Sequence, residues 1–401
     1  MPGPMEGVRV VELGFWVAGP SVGGVLADWG AEVVKVEPLD GDPMRGLFVK
    51  GLGVELPINP PFELDNRGKR SIAVDFDRPD GRSVVLDLVD RADVFLTNIR
   101  PGGLERAGLD YPTLAARNPK LVYCSMTGYG LEGAERDRPA FDVGAFWSRA
   151  GIAAALTAPN TDPPYQRGAM GDHTAGMTGA GGVAAALFAR SRTGRGQLVS
   201  TSLLRIGIFT IGWDTMIKLR LGAPATPMTR ATTPNPLISC YRTRDERWIW
   251  LLGLQGDRMW PDLVRAIGRP ALERDPRFAT IGDRRDNAAA LVATLDPIFA
   301  EKTRDEWAAI FDREGVWWAP VQTTDELVED PAARDCGAFV DVPSAEGGTI
   351  RMVSSPLDFS DTRWAVTAPV PELGQHTEEV LLELGYDWQR IAALKEARVI
   401  P

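Results

Sequence analysis

One carboxylate in this chain is placed where it could carry out covalent chemistry. The stretch Arg167–Met177 sets Asp172 beside Gly171, just before an apolar, alanine-rich run that predicts a helix. The start of a helix presents free N–H groups and the positive end of its dipole, so an aspartate there is expected to stay ionised and to serve as a nucleophile. The other interpretation is that Asp172 only caps the helix, because aspartate is a preferred N-cap residue.

Composition limits the other kinds of chemistry. The chain has 401 residues, 44% hydrophobic and 24% charged, which is typical of a globular protein of more than one domain. Its net charge of −10 does not favour nucleic acid or an acidic membrane as a partner. The scattered Cys124, Cys240 and Cys336 fit neither a disulfide framework nor a zinc site. With His173 and His376 as its imidazoles, the chain does not favour a metal centre or a Ser-His-Asp triad.

The sequence also bears on location. It contains no run of eighteen apolar residues, and its N-terminus lacks the basic and apolar regions of a signal peptide. We therefore expect a cytoplasmic protein that does not associate with membranes.

The first half alternates short apolar strands with helices, which is the pattern of a parallel sheet covered by helices. Strands are predicted at Val8–Leu13, Val33–Val36, Ser71–Phe76, Val94–Asn98 and Leu121–Thr127. Helices are predicted at Pro20–Trp29, Gly81–Ala92, Tyr111–Arg117, Thr174–Arg190 and Gln197–Leu221. The predicted fold class is α/β.

The second half predicts a smaller α+β domain. Its strands are expected at Leu237–Arg242 and Arg247–Leu252, and its helices at Asp257–Ile267, Arg284–Ala300 and Arg304–Arg313. The tail returns to the pattern of the first half, with strands expected at Trp318–Gln322 and Thr349–Val353 and a final helix at His376–Leu384. A threonine- and proline-rich segment begins at Thr226, so we expect a large domain over 1–225, a small one over 226–330, and a return to the large domain over 331–401.

The segment from Val8 to Glu37 imitates a dinucleotide-binding unit. Its glycines, Gly14, Gly19 and Gly23, do not have the G-x-G-x-x-G spacing that such a unit needs, so a nicotinamide site is not favoured.

Two basic loops lie next to predicted strands: residues 66–70 precede one strand, and residues 98–106 follow another. Such loops bind phosphorylated ligands in open α/β sheets, although arginine and lysine in loops are more often only solvated.

A set of short motifs makes a resemblance specific. They occur in order over nearly the whole chain, at residues 7–13, 17–20, 26–37, 66–71, 98–102, 138–142, 171–172, 193–197 and 373–377. With these motifs the chain resembles the family III coenzyme A transferases, also called the CaiB/BaiF group. The group includes formyl-CoA transferase, the carnitine and bile-acid CoA-transferases and the α-methylacyl-CoA racemases.

The resemblance implies an acyl-CoA:carboxylate CoA-transferase with a Rossmann-like large domain, built from the two ends of the chain, and a smaller α+β domain. Asp172 would form an aspartyl mixed anhydride and then an aspartyl-CoA thioester, and backbone amides near Gly171 and Gly176 would approach the oxyanions. Acyl-CoA and a carboxylic acid would be the substrates, with no permanently bound cofactor, and two chains would form an interlocked homodimer. The residues implied to contact coenzyme A are Trp16, Val17, Ala18, Lys69, Asn98, Ile99, Arg100, Arg106 and Phe141.

Departures from the family pattern bear on the substrate. Val17 and Phe141 stand where formyl-CoA transferase has glutamine and tyrosine, and residues 232–237 replace its glycine-rich loop, so we expect a larger or less polar acyl group than formate or oxalate. Phe141 also stands where the racemases have a histidine, and a racemase needs a second base. His173, adjacent to Asp172, is expected to point elsewhere. A 2-methylacyl-CoA racemase or isomerase and a non-catalytic acyl-CoA-binding protein remain the alternatives.

Overall fold

A six-stranded parallel sheet forms the centre of the larger part of the molecule. The computed structural model describes residues 3–47, 58–223, 227–344 and 347–401. The strands are β1 (Arg9–Leu13), β2 (Glu32–Glu37), β3 (Arg70–Ala73), β4 (Val94–Thr97), β5 (Val122–Thr127) and β6 (Leu198–Ser202). Their order is β3-β2-β1-β4-β5-β6, so the winding reverses between β1 and β4. Ligands of such sheets bind outside the carboxyl ends of the strands at this reversal.

The strands are rich in valine because both faces of the sheet are covered. Successive residues of a strand point to opposite faces, so Val10 and Val33 belong to one core whereas Val11 and Val34 belong to the other. The first core includes residues of two helices, which begin at Ala18 and Met170. The strands predicted in the first half are thus confirmed, with boundaries shifted by one to three residues.

Helices connect and cover these strands. They are α1 (Ala18–Asp28), α2 (Met44–Gly46), α3 (Pro60–Asn66), α4 (Pro79–Val89), α5 (Pro101–Ala107), α6 (Tyr111–Arg117), a π-helix (Val143–Arg149), α7 (Ile152–Leu156), α8 (Met170–Thr193), α9 (Leu203–Thr210) and α10 (Gly212–Leu221). Four of them, α3, α4, α5 and α6, have a proline at their first or second position, where its missing N–H costs no hydrogen bond. Among the described residues, no helix combines the length and the apolar character needed to cross a membrane.

The described residues fall into two compact units, one within 1–154, 165–224 and 337–401 and the other within 155–164 and 225–336. The second unit contains the antiparallel strands β7 (Cys240–Arg242), β8 (Trp248–Leu251) and β9 (Trp318–Val321), in that order. Its helices are α11 (Gly256–Ala266), a 3-10 helix (Pro270–Arg274), α12 (Ile281–Asp286), α13 (Ala288–Phe299), α14 (Arg304–Glu314), α15 (Thr324–Glu329) and α16 (Pro331–Asp335). Residues 225 and 226, where the first domain boundary is predicted, lie outside the described residues.

The C-terminal segment returns to the large sheet. It contains the antiparallel hairpin of β10 (Phe339–Pro343) and β11 (Thr349–Val353), then α17 (Thr377–Glu383) and α18 (Trp388–Glu396). The backbone N–H of His376 donates to the carbonyl of Ser71 over 2.9 Å, and the Ser71 N–H donates to His376 Nδ1 over 3.2 Å. The hydroxyl of Thr377 accepts from the Ala73 N–H at 3.0 Å, so the segment is bonded to β3.

Some predicted helices need correction. The single helix predicted over Gln197–Leu221 is wrong, because its first residues form β6, paired with β5, and the rest divides into α9 and α10. The helix predicted from Thr174 begins earlier, at Met170, which places Asp172 inside its first turn. The helix predicted over Arg284–Ala300 is interrupted at Asn287.

Candidate active site

Asp172 lies in the first turn of α8, and it does not cap that helix. The N-cap position is taken by Ala169, whose φ of 64° is left-handed. The N–H of Gly171 donates to Asp142 Oδ2 over 3.1 Å, and the Ser21 hydroxyl lies 3.2 Å from the backbone oxygen of Asp172. Within the part of the chain that the structure describes, no hydrogen bond is formed to the Asp172 carboxylate, which leaves this group free to react.

Two cavities of the large unit meet at this carboxylate. One has a volume of about 500 Å³ and the other of about 860 Å³. The residues that line both are Trp16, Val17, Phe141 and Asp172. The rings of Trp16 and Phe141 pack edge to face, with their centroids 5.5 Å apart. A molecule in either cavity can therefore reach Asp172.

The smaller cavity lies at the reversal point of the sheet. Its walls include Phe15–Ala18, which follow β1, and Asn98–Arg100, which follow β4. Arg136 and Arg138 line it as well and pair with nearby carboxylates, whereas Arg100 forms no ion pair within the described ranges. Guanidinium groups at the ends of parallel strands suit a ligand that carries phosphates. We call this space the polar cavity.

The turn after β1 is held from two sides. Asn98 accepts from the Phe15 N–H at 2.9 Å and donates to the Phe15 carbonyl over 2.7 Å. Asp42 accepts from the N–H of Trp16 at 3.0 Å, and its other oxygen lies 2.9 Å from the buried ammonium of Lys35. Trp16 has a φ of 65°, a conformation that costs a non-glycine residue free energy and persists where surrounding contacts enforce it. The hydrogen bonds of Asn98 and Asp42 supply that enforcement.

Two of the residues implied to contact coenzyme A lie outside both cavity linings. Lys69 is buried, and its ammonium donates to Glu12 over 2.7 Å, to the carbonyl of Pro20 over 2.8 Å and to Asn66 over 3.0 Å. An ammonium has three donors, so Lys69 has none left for a ligand. Arg106 is exposed in the last turn of α5. The others line the polar cavity: Trp16, Val17, Ala18, Asn98, Ile99, Arg100 and Phe141.

The electrostatic setting of Asp172 differs from the expectation. Burial, followed by the nearby carboxylate of Asp142, raises the pKa of Asp172 to about 7, although His173 acts in the opposite direction. The helix N-terminus therefore does not hold the pKa of this carboxylate low, because desolvation and a like charge outweigh the dipole. A raised pKa also makes the ionised carboxylate a stronger base and nucleophile.

His173 does not point away from the site. Its Nε2 lies 3.3 Å from Oδ1 of the buried Asp65, and it lines the larger cavity together with Asp172. The hydrogen bond to Asp65 raises the pKa of His173, and the charges of Asp172 and Asp142 add to the effect. The expectation about its direction was wrong, since both side chains border the same space.

The two glycines near Asp172 serve packing. A Cβ on Gly171 would lie 2.3 Å from both Asp142 Oδ1 and the Phe146 ring, and the N–H of Gly171 is already bonded to Asp142. A Cβ on Gly176 would lie 2.3 Å from the hydroxyl oxygen of Ser21 on α1. The N–H of Gly171 itself is therefore occupied, and an oxyanion contact from other backbone amides near these glycines stays a prediction.

Sequence reasoning did not assign a role to the acids that surround the site. Asp142 closes a motif noted at residues 138–142, and Asp65 directly precedes the basic loop at 66–70. Both are buried. The sequence shows that both carboxylates adjoin recognised motifs. Their burial, which marks them as part of the site, is visible only in the fold.

Known proteins are similar to this chain over nearly its whole length. The sequence model described as CoA-transferase family III matches residues 5–377. The (R)-2-hydroxy-4-methylpentanoate CoA-transferase of Clostridioides difficile is 32% identical over 99% of each chain. The cinnamoyl-CoA:phenyllactate CoA-transferase of Clostridium sporogenes is 33% identical, over 98% of this chain and 97% of that protein.

Solved structures show the same similarity. A CAIB/BAIF family protein from Brucella suis superposes with a TM-score of 0.84 at 32% identity, over 96% of this chain and 100% of that one. Rv3272 from Mycobacterium tuberculosis gives a TM-score of 0.82 at 31% identity, over 94% of this chain and 99% of that one.

Proposed function

Because this chain belongs to the family III CoA-transferases, we propose that it moves coenzyme A between an acyl-CoA and a carboxylic acid through covalent intermediates on Asp172. The observation that carries the proposal is the position of this carboxylate, which borders both cavities and accepts no hydrogen bond among the described residues. A nucleophile must reach both the thioester and the acid, and this position allows it.

Coenzyme A is assigned to the polar cavity. Its phosphates would lie near Arg100, and the backbone of the turn at residues 15–18 would follow the pantetheine arm toward Asp172. Lys69 enters this proposal as a positioning residue, since it bonds the carbonyl of Pro20 near the start of α1. Arg106 is kept as an outer contact of the nucleotide, because it lies on the helix that begins directly after Arg100.

The reaction on Asp172 balances without an added proton or cofactor. A carboxylate oxygen attacks the thioester carbon of the donor, the C–S bond breaks, and coenzyme A leaves as a thiolate. The thiolate attacks the aspartyl carbon of the anhydride and releases the donor acid as a carboxylate. The acceptor carboxylate then attacks the aspartyl carbon of the aspartyl-CoA thioester, the C–S bond breaks, and a second mixed anhydride and the CoA thiolate form. The thiolate attacks the acyl carbon of this anhydride, the bond to the aspartyl oxygen breaks, and the new acyl-CoA and the free Asp172 carboxylate result.

Replacement of the nucleophile tests the mechanism. Asp172→Asn keeps the shape of the side chain but cannot form an anhydride, so turnover should fall by more than about a thousandfold. Coenzyme A affinity, measured by calorimetry, should stay near that of the wild type. Mass spectrometry of the wild-type peptide that contains Asp172 should show an acyl or CoA adduct, which the variant lacks. Turnover of a pure Asp172→Asn sample within tenfold of wild type would refute the assignment.

We also propose that the chain forms an interlocked homodimer, as the resemblance implies. An exposed apolar surface on α9 and α10 supports association. Its members Phe209, Trp213, Leu219 and Leu221 are 87%, 90%, 72% and 76% exposed in the single chain. Large exposed apolar patches mark surfaces that become covered in an assembly.

A further inference from the structure

The larger of the two cavities has an apolar lining that the proposed chemistry leaves unexplained. Its volume of about 860 Å³ falls within the range of roughly 300–1,000 Å³ that is usual for pockets that enclose a small organic ligand. Apolar side chains on three segments of the large unit face it: Met44, Leu47, Leu64, Ile350, Met352 and Val353. We call this space the apolar cavity. Such walls bind the hydrocarbon part of a ligand.

The apolar cavity also has a cationic corner beside Asp172. His173 lines it, and Asp65, which is buried, accepts from His173 at 3.3 Å. The remaining charged groups of the lining are Glu63 and Arg351. Arg351 lies on the exposed hairpin, 3.7 Å from the carboxylate of Asp341, and these side chains are 58% and 64% exposed, so water solvates this pair.

A carboxylate that enters an apolar space needs a counter-charge, because an unpaired ion loses its hydration without compensation. His173 can supply that charge next to the reacting atoms, since it follows Asp172 in the chain and borders the same cavity. The charges beside His173 also change during the reaction. While Asp172 is ionised, both it and Asp65 are negative neighbours of His173; once Asp172 is an uncharged acyl derivative, one of these charges is gone and the carboxylate of the incoming acid can take its place.

On the basis of the proposed function, we propose that the apolar cavity is the subsite for the carboxylic acid and that His173, oriented by Asp65, binds its carboxylate. The substrates are then monocarboxylic acids with a branched or aromatic hydrocarbon body. Short acids leave the walls unfilled, and dicarboxylic acids would bury a second charge among apolar side chains. Asp65 is a positioning residue in this arrangement, because it acts through His173.

An exchange assay tests the substrate class with one acid at a time. Each acyl-CoA is incubated with its own isotopically labelled acid, and entry of label into the thioester is measured. For straight and branched acids from butyrate to 4-methylpentanoate, KM should fall about fourfold for each added carbon, the equivalent of about 0.8 kcal/mol per buried methylene. Exchange of 3-phenylpropanoate should be efficient and that of succinate at least a hundredfold weaker. Preference for succinate or acetate would overturn the proposal.

Two variants test the role of His173. His173→Gln should raise KM for the acid at least tenfold and change KM for the thioester by a much smaller factor. Asp65→Asn should raise KM for the acid by a smaller factor, because His173 loses its partner but can still be protonated. An unchanged KM for the acid in folded His173→Gln would overturn the assignment. So would enzyme-dependent entry of solvent deuterium at the α-carbon that His173→Ala abolishes, because His173 would then be a base.

A matched pair on β11 tests the walls. Met352 faces the apolar cavity, whereas Thr349 on the same strand is exposed and outside its lining. Met352→Trp should impair 4-methylpentanoate exchange at least tenfold and leave butyrate within threefold, while Thr349→Trp should behave as wild type. Equal effects on both acids would overturn the subsite. If Asp172→Asn remains active, the proposed function fails; if it is inactive while these variants behave as wild type, only this inference fails.

Discussion

At the scale of single residues, the decisive property of Asp172 is its pKa, which depends on its burial and on the charges of its neighbours. Asp142 disfavours its ionisation and His173 favours it, while burial acts in the same direction as Asp142 and is the largest effect. A helix N-terminus is worth less than about 2 kcal/mol to a carboxylate, which is too little to offset both. Burial and the neighbouring charges together therefore raise the pKa of Asp172 to about 7.

This balance predicts opposite shifts of the pH profile. In single-turnover formation of the acyl-enzyme, the rate should rise with pH through a pKa of about 7, because the ionised form of Asp172 attacks. Asp142→Asn removes a like charge and should move this midpoint to lower pH by roughly half to one unit, where one unit equals about 1.4 kcal/mol. The asparagine oxygen can still accept from the Gly171 N–H, so the helix start should keep its place.

His173→Gln is the control for that shift. It removes a positive charge, so the midpoint should move to higher pH, opposite to the effect of Asp142→Asn. If both variants move the midpoint in the same direction, a structural change rather than charge governs the profile.

Residue types predicted part of this site. The turn near Trp16 and the loop at Asn98 follow predicted strands, and the carboxyl ends of parallel strands meet at one edge of a sheet. Their approach to Asp172 was therefore foreseeable. The pair formed by His173 and Asp65 was not, because the two residues are far apart in the chain and no local pattern links them. The same holds for the bond between Asp142 and Gly171.

At the scale of elements, α1 and α8 determine where Asp172 lies. They pack closely because small residues face each other: a Cβ on Gly176 would meet Ser21, and a Cβ on Gly179 would meet Val22 at 2.6 Å. The Ser21 hydroxyl also reaches the backbone oxygen of Asp172. Close packing of two helices thus fixes the first turn of α8 against the turn that follows β1.

A matched pair of glycines in α8 tests this packing. Gly176→Ala should destabilise the protein by about 1–3 kcal/mol, the usual cost of overpacking, and should lower kcat by displacing Asp172. Gly181 lies on the same helix with open space around its Cβ position, so Gly181→Ala should stabilise the protein by up to about 1 kcal/mol and leave kcat unchanged. Urea unfolding and steady-state kinetics measure both effects. Equal stability of the two variants would show that the contact with Ser21 is not tight.

Periodicity predicted five of the six strands of the large sheet and missed β6. Strands β1, β2, β4 and β5 are apolar runs between covered faces, so their sequences are distinctive. Strand β6 has the sequence Leu-Val-Ser-Thr-Ser and lies at the edge of the sheet, where one side lacks a partner strand. Its short polar sequence joined the following helix in the prediction, because pairing with β5 is a long-range contact.

At the scale of the whole molecule, family membership accounts for the α/β scaffold, and three separate segments of the large unit contribute to the lining of the apolar cavity. Curated relatives carry the names of transferases for different acids. One sheet with one nucleophile can serve them all if the walls opposite Asp172 vary. The β10–β11 hairpin supplies part of those walls from the C-terminal segment, which no local pattern near Asp172 would have indicated.

The proposed dimer makes a kinetic prediction. Interlocked chains separate only when one of them opens, so tagged and untagged native protein mixed at nanomolar concentration should not exchange subunits over days.

The exposed surface of α9 and α10 offers a control. Replacing Phe209 and Trp213 by aspartate would dissociate a dimer held by that surface alone, since two large apolar contacts become buried charges. An interlocked dimer should remain dimeric in native mass spectrometry and unfold at a lower temperature. Ready subunit exchange by the wild type, or a folded monomer of the double variant, would contradict interlocking.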